Sequence, residues 1–429
     1  MIKLHNGDCL DVLKLYPANH FDTLITDPPY GLEFMCKDWD HGIPGIPFWK
    51  EILRVCKPGA FALVFGGTRT FHRLTCAIED AGWEIRDCMM WLYGSGFPKS
   101  LDISKAIDKA AGMERKGIIR TDGKATNSGS GCYQMNDSKN KPMQKIFEDG
   151  PPVTNFAQLW DGWGTALKPA WEPIIVAMKP LDGTFAQNAE KHGVAGLWID
   201  GGRIGTEQIK TNTKKKGESF TSVGNAQGFN GCPESTHQGR WPANLILDEE
   251  AGAMLDEQSG TLKSGKLLTH HKRSGRGLQG NKTFAIRDRT NEECNWGGDS
   301  GGASRFFYCA KASKTERNAG LEDMPERPRG PVGDGFDNTL KGPTNALRKD
   351  SPTLSQNHHP TVKPLALMEY LCTLTKTPTG GHVLDPFGGS GTTALACMNT
   401  GRDCTIIEKE SEYCEIIRAR VKANDTKKE

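Results

Sequence analysis

Strand-like apolar runs, each closed by a glycine or proline turn and followed by an amphipathic helix, fill both ends of this chain and fade in its middle. At the front, Asp22–Thr26 predicts a short buried strand, and Phe48–Cys56 a helix stopped by Lys57-Pro58-Gly59. Ala60–Phe65 predicts a second strand closed by Gly66-Gly67, Thr70–Ala81 a second helix, and Trp83–Leu92 a further strand. At the back, helices over Lys363–Thr375, Thr392–Met398 and Ser411–Lys422 alternate with strands over Gly381–Asp385 and Asp403–Ile407. Strands joined through helices of this length predict an α/β fold with a mostly parallel sheet. The expectation is one sheet built from both chain ends, with the irregular middle standing beside it. This divides the chain into residues 1–179, 180–357 and 358–429.

The middle holds only short strand candidates, Leu197–Ile199, Asn244–Leu247 and Arg305–Cys309, among glycine-, lysine- and proline-rich stretches. Gly123–Lys141 predicts a mobile surface loop, and Met324–Ser355 is too poor in apolar residues to pack tightly. No internal repeat is visible. With 36% hydrophobic and 25% charged residues over 429 positions, the chain can bury a sizeable core. No run of eighteen apolar residues predicts a membrane span, and the N-terminus lacks the layout of a secretion signal. The thirteen cysteines include no Cys-x-x-Cys pair, which argues against a disulfide framework or a zinc ribbon. Cys76, Cys372 and Cys397 lie in apolar runs and are expected to pack as small hydrophobes. Together these features predict a cytoplasmic protein.

Two motifs carry chemistry. The first is Asp27-Pro28-Pro29-Tyr30, directly after a predicted strand, where open parallel sheets face their ligands. The prolines fix the backbone and offer carbonyl oxygens without competing N–H groups. An amine on an aromatic ring is a poor nucleophile because its lone pair is delocalised. Acceptors from Asp27 and the Pro28 carbonyl would hold its two hydrogens, and Tyr30 offers a flat face to a base swung out of a duplex. A bare Pro-Pro turn with an incidental acid is the competing interpretation. The second motif, Leu384-Asp385-Pro386-Phe387-Gly388-Gly389-Ser390-Gly391-Thr392-Thr393, links a strand to a helix whose N–H groups face an anion. Glu408 lies twenty-three positions beyond Asp385, at the end of the next strand, where a carboxylate can accept two ribose hydroxyls. Gly389-x-Gly391-x-x-Ala394 also fits a dinucleotide fingerprint, so a nucleotide-dependent oxidoreductase is the rival enzyme class.

The order of these motifs, with His359-Pro360-Thr361-Val362-Lys363-Pro364 leading into the second, resembles the beta class of amino-methyltransferases acting on DNA. Gly94-Ser95-Gly96-Phe97-Pro98-Lys99 and Gly239-Arg240-Trp241-Pro242-Ala243-Asn244 are similar to stretches of methylases encoded by phages and prophages. The resemblance covers residues 1–110 and 358–422 well and the middle in patches. It implies a circularly permuted Rossmann-like methyltransferase sheet with helices on both faces and an inserted target-recognition region. In it residues 1–179 form the catalytic half, 180–357 the DNA-binding insert, and 358–429 the half that binds S-adenosylmethionine. It assigns Asp27, Pro28, Pro29 and Tyr30 to catalysis. It assigns Asp8, Lys363, Asp385, Phe387, Gly389, Ser390, Gly391, Thr392 and Glu408 to the methyl donor. For Asp8 in Asn6-Gly7-Asp8-Cys9 a plain turn role competes, and Lys363 could instead cap the crevice. The aspartate that opens the first motif resembles adenine-N6 enzymes more than the serine form found in cytosine-N4 enzymes.

Net charge is only +2, but Lys263–Arg289 holds eight basic residues against the single acid Asp288, a local sum of +7. Within a methylase, Lys272, Arg273, Arg276, Arg287 and Arg289 are the candidates for phosphate contact, Lys214-Lys215-Lys216 a weaker one, and a solvated loop the alternative. The pairs His270-His271 and His358-His359 lack ligand spacing, and no metal is expected. Partners open to such a protein are double-stranded DNA, a second copy of the chain, and a cognate restriction endonuclease. An inactive DNA-binding protein of the same fold is the non-enzymatic alternative.

Overall fold

The computed structural model describes residues 1–32, 42–96, 100–115, 118–120, 146–148, 150–210, 236–263, 300–310, 316–328, 354–359 and 361–426. The basic run with Lys272, Arg273, Arg276, Arg287 and Arg289 lies outside these, as do Lys214–Lys216, Gly123–Lys141 and most of Met324–Ser355. The chain forms two compact units, one of residues 1–94, 171–331 and 354–429, the other of residues 95–170 and 332–353.

The first unit is built on nine strands: β1 Ile2–Asn6, β2 Phe21–Thr26, β3 Cys56–Phe65, β4 Glu84–Leu92, β5 Trp171–Met178, β6 Leu245–Asp248, β7 Tyr308–Ala310, β8 His382–Asp385 and β9 Asp403–Glu408. Among the described residues they form a single sheet in the order β1-β9-β8-β2-β3-β5-β4-β6-β7. Neighbours run parallel except at β5, which is antiparallel to β3 and β4. Strands from the two chain ends therefore sit side by side at the centre, β8 against β2, which is the circularly permuted arrangement. The middle of the chain does not only stand beside the sheet. Leu245–Asp248 and Tyr308–Ala310 extend it past β4, while Leu197–Ile199 is not a strand.

Both faces of the central strands are buried, as continuous apolar text requires. Ile25, Leu63 and Phe65 point into one core with the helices Leu365–Leu374 and Thr392–Thr400. Leu24, Ala62 and Val64 point into the other with α1 (Cys9–Leu13), α2 (Ile46–Val55) and α3 (Phe71–Asp80). One residue of slip in β2 or β3 would exchange the two cores, so the register is pinned on both sides. Each fully buried Leu or Phe contributes about 1.5–3 kcal/mol. Cys372 and Cys397 are buried as expected, but Cys76 is exposed: α3 buries the stripe Leu74 and Ile78, and Cys76 falls between its turns. The final helix spans Ser411–Thr426. No helix among the described residues is long and apolar enough to cross a membrane.

In the second unit, the helix Ile103–Ala110 pairs with the helix Asn155–Leu159 around a buried carboxylate. Asp108 accepts from the backbone N–H groups of Val153 and Thr154, from the Thr154 hydroxyl and from Arg115 at 2.7 Å. Ile118–Arg120 and Ile146–Glu148 form an antiparallel pair within the same unit.

Candidate active site

Parallel strands deliver their carboxyl ends to one edge of a sheet, and the two chemical motifs leave β2 and β8, which are neighbours there. A direct bond joins them: the Thr26 hydroxyl, one residue before Asp27, donates to Asp385 Oδ1 at 2.7 Å. Asp385 is fully buried and also accepts from the Phe387 N–H at 3.2 Å. Burial pushes its carboxyl up to about 7, against the hydroxyls of Thr393 and Thr26 and the Phe387 N–H, which favour its charge.

Asp27 lies at the crevice with both oxygens engaged. Its Oδ1 accepts from the Tyr30 hydroxyl at 2.7 Å, and its Oδ2 pairs with the Lys363 ammonium at 2.9 Å. Pro28 is buried, and Pro29 and Tyr30 are half-buried. The Thr70 hydroxyl holds the Tyr30 carbonyl at 2.7 Å. Gly67 has no side chain where a Cβ would come within 3.2 Å of the Tyr30 ring, so the Gly66-Gly67 strand end makes room for the tyrosine. Burial, then the neighbouring Asp27 and Glu172 charges, raise the Tyr30 hydroxyl well above the usual tyrosine range, so it is a donor at neutral pH.

Lys363 therefore stands at the Asp27–Tyr30 turn. Its side chain is only 10% exposed, and its ammonium also reaches Glu172 Oε2 at 3.1 Å and the Tyr30 hydroxyl at 3.1 Å. Burial opposes its charge, but Asp27 and Glu172 together outweigh that cost and raise its pKa above the ordinary lysine value. Sequence reasoning missed Glu172. β5 runs against its neighbours and so brings its first residues, not its last, to the crevice edge. The available signal was a lone acid opening the apolar run Trp171-Glu172-Pro173-Ile174-Ile175-Val176.

The glycine loop closes on the opposite side of Asp385. Gly389 and Gly391 adopt left-handed backbone, φ 52° and 80°, and a Cβ there would meet His359 at 3.1 Å and Ile417 at 2.9 Å. The Gly388 N–H bonds the Ile407 carbonyl at 2.8 Å, and the Gly389 N–H bonds Glu408 Oε2 at 2.7 Å. Ser390 and Thr392 are buried, and their side chains turn to Arg420, at 3.2 and 3.3 Å, whose guanidinium also holds the Ser390 carbonyl at 2.7 Å. These two hydroxyls brace the loop from behind. Arg420, a buried cation on the final helix, was not foreseen; an arginine within an otherwise apolar helix face was its only trace. Phe387 is half-buried and packs towards Phe48 with ring centres 6.3 Å apart.

Glu408 ends β9 and is nearly buried. Burial pushes its carboxyl up to about 7, while the N–H groups of Glu410 and Gly389 favour the charged form. Beside it, Gly7 N–H bonds the Glu408 carbonyl at 3.0 Å, and Asp8 caps α1 by accepting from the Leu10 N–H at 2.9 Å. Asp8 thus fills the turn role and also sits at the strand end next to Glu408. His359 rests against Gly389, and burial holds its imidazole down to about 4, hence neutral.

The site brings together a glycine loop opening a helix, a carboxylate one strand away, and a second carboxylate, Asp27, held by Tyr30 and Lys363. That is the layout of a group-transfer protein with a nucleoside-containing cofactor. The family model described as DNA methylase, of the N6/N4 type, matches residues 21–419, and the chain belongs to that family. It is 43% identical over 67 residues to the type II methyltransferase M2.DpnII of Streptococcus pneumoniae, covering 16% of this chain and 25% of that protein. With M.SmaI of Serratia marcescens it shares 44% over 54 residues, 13% of this chain and 18% of that protein. With M.HindIII of Haemophilus influenzae it shares 23% over 241 residues, 46% of this chain and 64% of that protein. The matches to the first two span a quarter or less of those relatives' own lengths. Among solved structures, the cytosine-N4-specific PvuII DNA methyltransferase aligns at 13% identity and a TM-score of 0.41, covering 98% of this chain and 86% of that one.

Proposed function

We propose that this chain transfers the methyl group of S-adenosylmethionine to the exocyclic amine of a base in double-stranded DNA, with adenine N6 as the target. The observation that carries this is the Thr26–Asp385 bond, which ties the residue before the acceptor Asp27 to the start of the cofactor loop on the neighbouring strand. Asp385, Phe387, Gly389, Gly391, Glu408 and Asp8 would hold the donor. Ser390 and Thr392 would shape its loop from behind. The residues fit that ligand: Gly389 and Gly391, at left-handed φ of 52° and 80°, make a loop without side chains that a ligand can approach closely, and the Glu408 carboxylate suits a pair of ribose hydroxyls. When bound, the donor supplies a methyl group activated by a positively charged sulfur.

The chain's own part is to make the amine a nucleophile. The Asp27 carboxylate and the Pro28 carbonyl accept its hydrogens and draw the nitrogen towards a tetrahedral geometry. The Asp27 charge also stabilises the positive charge that develops on that nitrogen. The Lys363 ammonium pairs with Asp27 and holds it in place, and Tyr30 offers its ring face to the extruded base.

Residues 1–179 act as the catalytic half, 180–357 as the target-recognition insert and 358–429 as the donor half. Lys272, Arg273, Arg276, Arg287 and Arg289 supply phosphate contacts. The setting is the cytoplasm of a bacterium or of a phage-infected host. The preference for adenine rests on the resemblance of Asp-Pro-Pro-Tyr to adenine-N6 enzymes. Digestion of DNA methylated by the protein, followed by mass spectrometry, separates the two products. N6-methyladenine is expected; N4-methylcytosine alone would overturn the choice of base, and no methylated base would overturn the activity.

A further inference from the structure

We propose that Glu172 is a positioning residue of methyl transfer, acting through Lys363 so that Asp27 stays available to the target amine. The inference rests on the function proposed above. It starts from a surplus. A buried ammonium needs a counter-charge, and one carboxylate is enough to supply it. Lys363 has two, Asp27 at 2.9 Å and Glu172 at 3.1 Å, so the trio carries a formal net negative charge.

That surplus serves the chemistry. An ammonium has three N–H groups, and here they go to Asp27, Glu172 and the Tyr30 hydroxyl. If Asp27 alone balanced Lys363, accepting an N–H from a base would compete with the ion pair it is bound to keep. With Glu172 present, Lys363 leans on the second carboxylate while Asp27 turns its lone pairs to the amine. Tyr30 is held by the same pair, 2.7 Å from Asp27 and 3.3 Å from Glu172, so the stacking ring and the acceptor are set by one network. Glu172 is firmly placed for this. It pairs in register with Trp91 of β4, and the Pro173 carbonyl that follows it holds the Gly66 N–H at 3.0 Å.

The test is steady-state methyl transfer to unmodified double-stranded DNA long enough to contain every short recognition sequence, with donor binding measured by calorimetry. Four proteins are compared: wild type, Glu172→Gln, Lys363→Met, and the double variant. Glu172→Gln is expected to lower kcat about tenfold or more, the size of coupling between groups in direct contact, with KM for DNA and donor affinity changed much less. Lys363→Met leaves two carboxylates facing one another without their cation, so adding Glu172→Gln should raise kcat above that of Lys363→Met alone. Recovery in the double variant is a result that a merely structural role does not give. Near-normal kcat in Glu172→Gln, or losses that multiply in the double variant, would overturn the inference while leaving the proposed activity standing. A wild-type protein that transfers no methyl group at all would instead remove the activity on which it rests.

Discussion

The protonation of Glu408 should be readable as the pH dependence of donor binding. Burial pushes this carboxyl up to about 7, against the Gly389 and Glu410 N–H groups at 2.7 and 2.8 Å. A carboxyl that must accept two ribose hydroxyls binds them as the ionised form, so the apparent Kd is the intrinsic Kd divided by the ionised fraction. With the carboxyl titrating about 7, that fraction is roughly one in eleven at pH 6 and roughly nine in ten at pH 8. S-adenosylmethionine should therefore bind about tenfold more weakly at pH 6 than at pH 8 and release close to one proton at the lower pH. Calorimetry in two buffers of different ionisation enthalpy reads both quantities. Glu408→Gln should flatten the profile and weaken binding at pH 8 by about 1.5–3 kcal/mol, the size of a hydrogen bond to a charged group. The sign matters: a group whose folded pKa is raised favours the donor-free protein at low pH, so affinity must rise with pH, not fall. A flat profile in the wild type, or tighter binding at pH 6, would refute the assignment. A profile that survives in Glu408→Gln would move the titration to Asp385, whose carboxyl is also pushed up to about 7.

Asp27→Ala should abolish methyl transfer while donor affinity, measured the same way, largely survives, because Lys363 keeps Glu172 as its counter-charge. Gly391→Ala should destabilise the protein by about 2–4 kcal/mol, combining left-handed backbone strain with a Cβ packed against Ile417. Gly112→Ala, at φ 69° with nothing within 4 Å, is the strain-only control and should cost about 1–2 kcal/mol, both seen in thermal unfolding. Neutralising Lys272, Arg273 and Arg276 together should lower DNA affinity and reduce the log–log salt slope by about 0.9 for each phosphate that is no longer neutralised. An unchanged slope would return the run to a solvated loop.

What the sequence could reveal follows from how each feature is encoded. β2, β3, β8 and β9 were legible because a strand buried on both faces must be apolar throughout, and Leu24, Ile25, Leu63 and Val64 leave no other face to water. The Asp27 turn and the glycine loop were legible because each is local: a proline pair and glycines at positive φ fix a backbone within a few residues. Lys363, Glu172 and Arg420 were not, since their roles exist only between segments far apart in the chain. Lys363 reaches Asp27 across more than three hundred residues, and Glu172 arrives on a strand whose direction no local pattern sets. The same reasoning separates the two families of acid in the site. Asp385 and Glu408 answer to burial and the loop's own N–H groups, so each carboxyl titrates about 7, where cofactor binding can select its charge. Asp27 is instead paired with a cation delivered from the other chain end. A permuted chain gains a specific coupling from this. The peptide that carries Lys363 to Asp27 begins with His359 against Gly389, so one short segment touches both the cofactor loop and the acceptor carboxylate. A change at the glycine loop would thus reach Asp27 from His359 and Lys363 as well as through the Thr26–Asp385 bond.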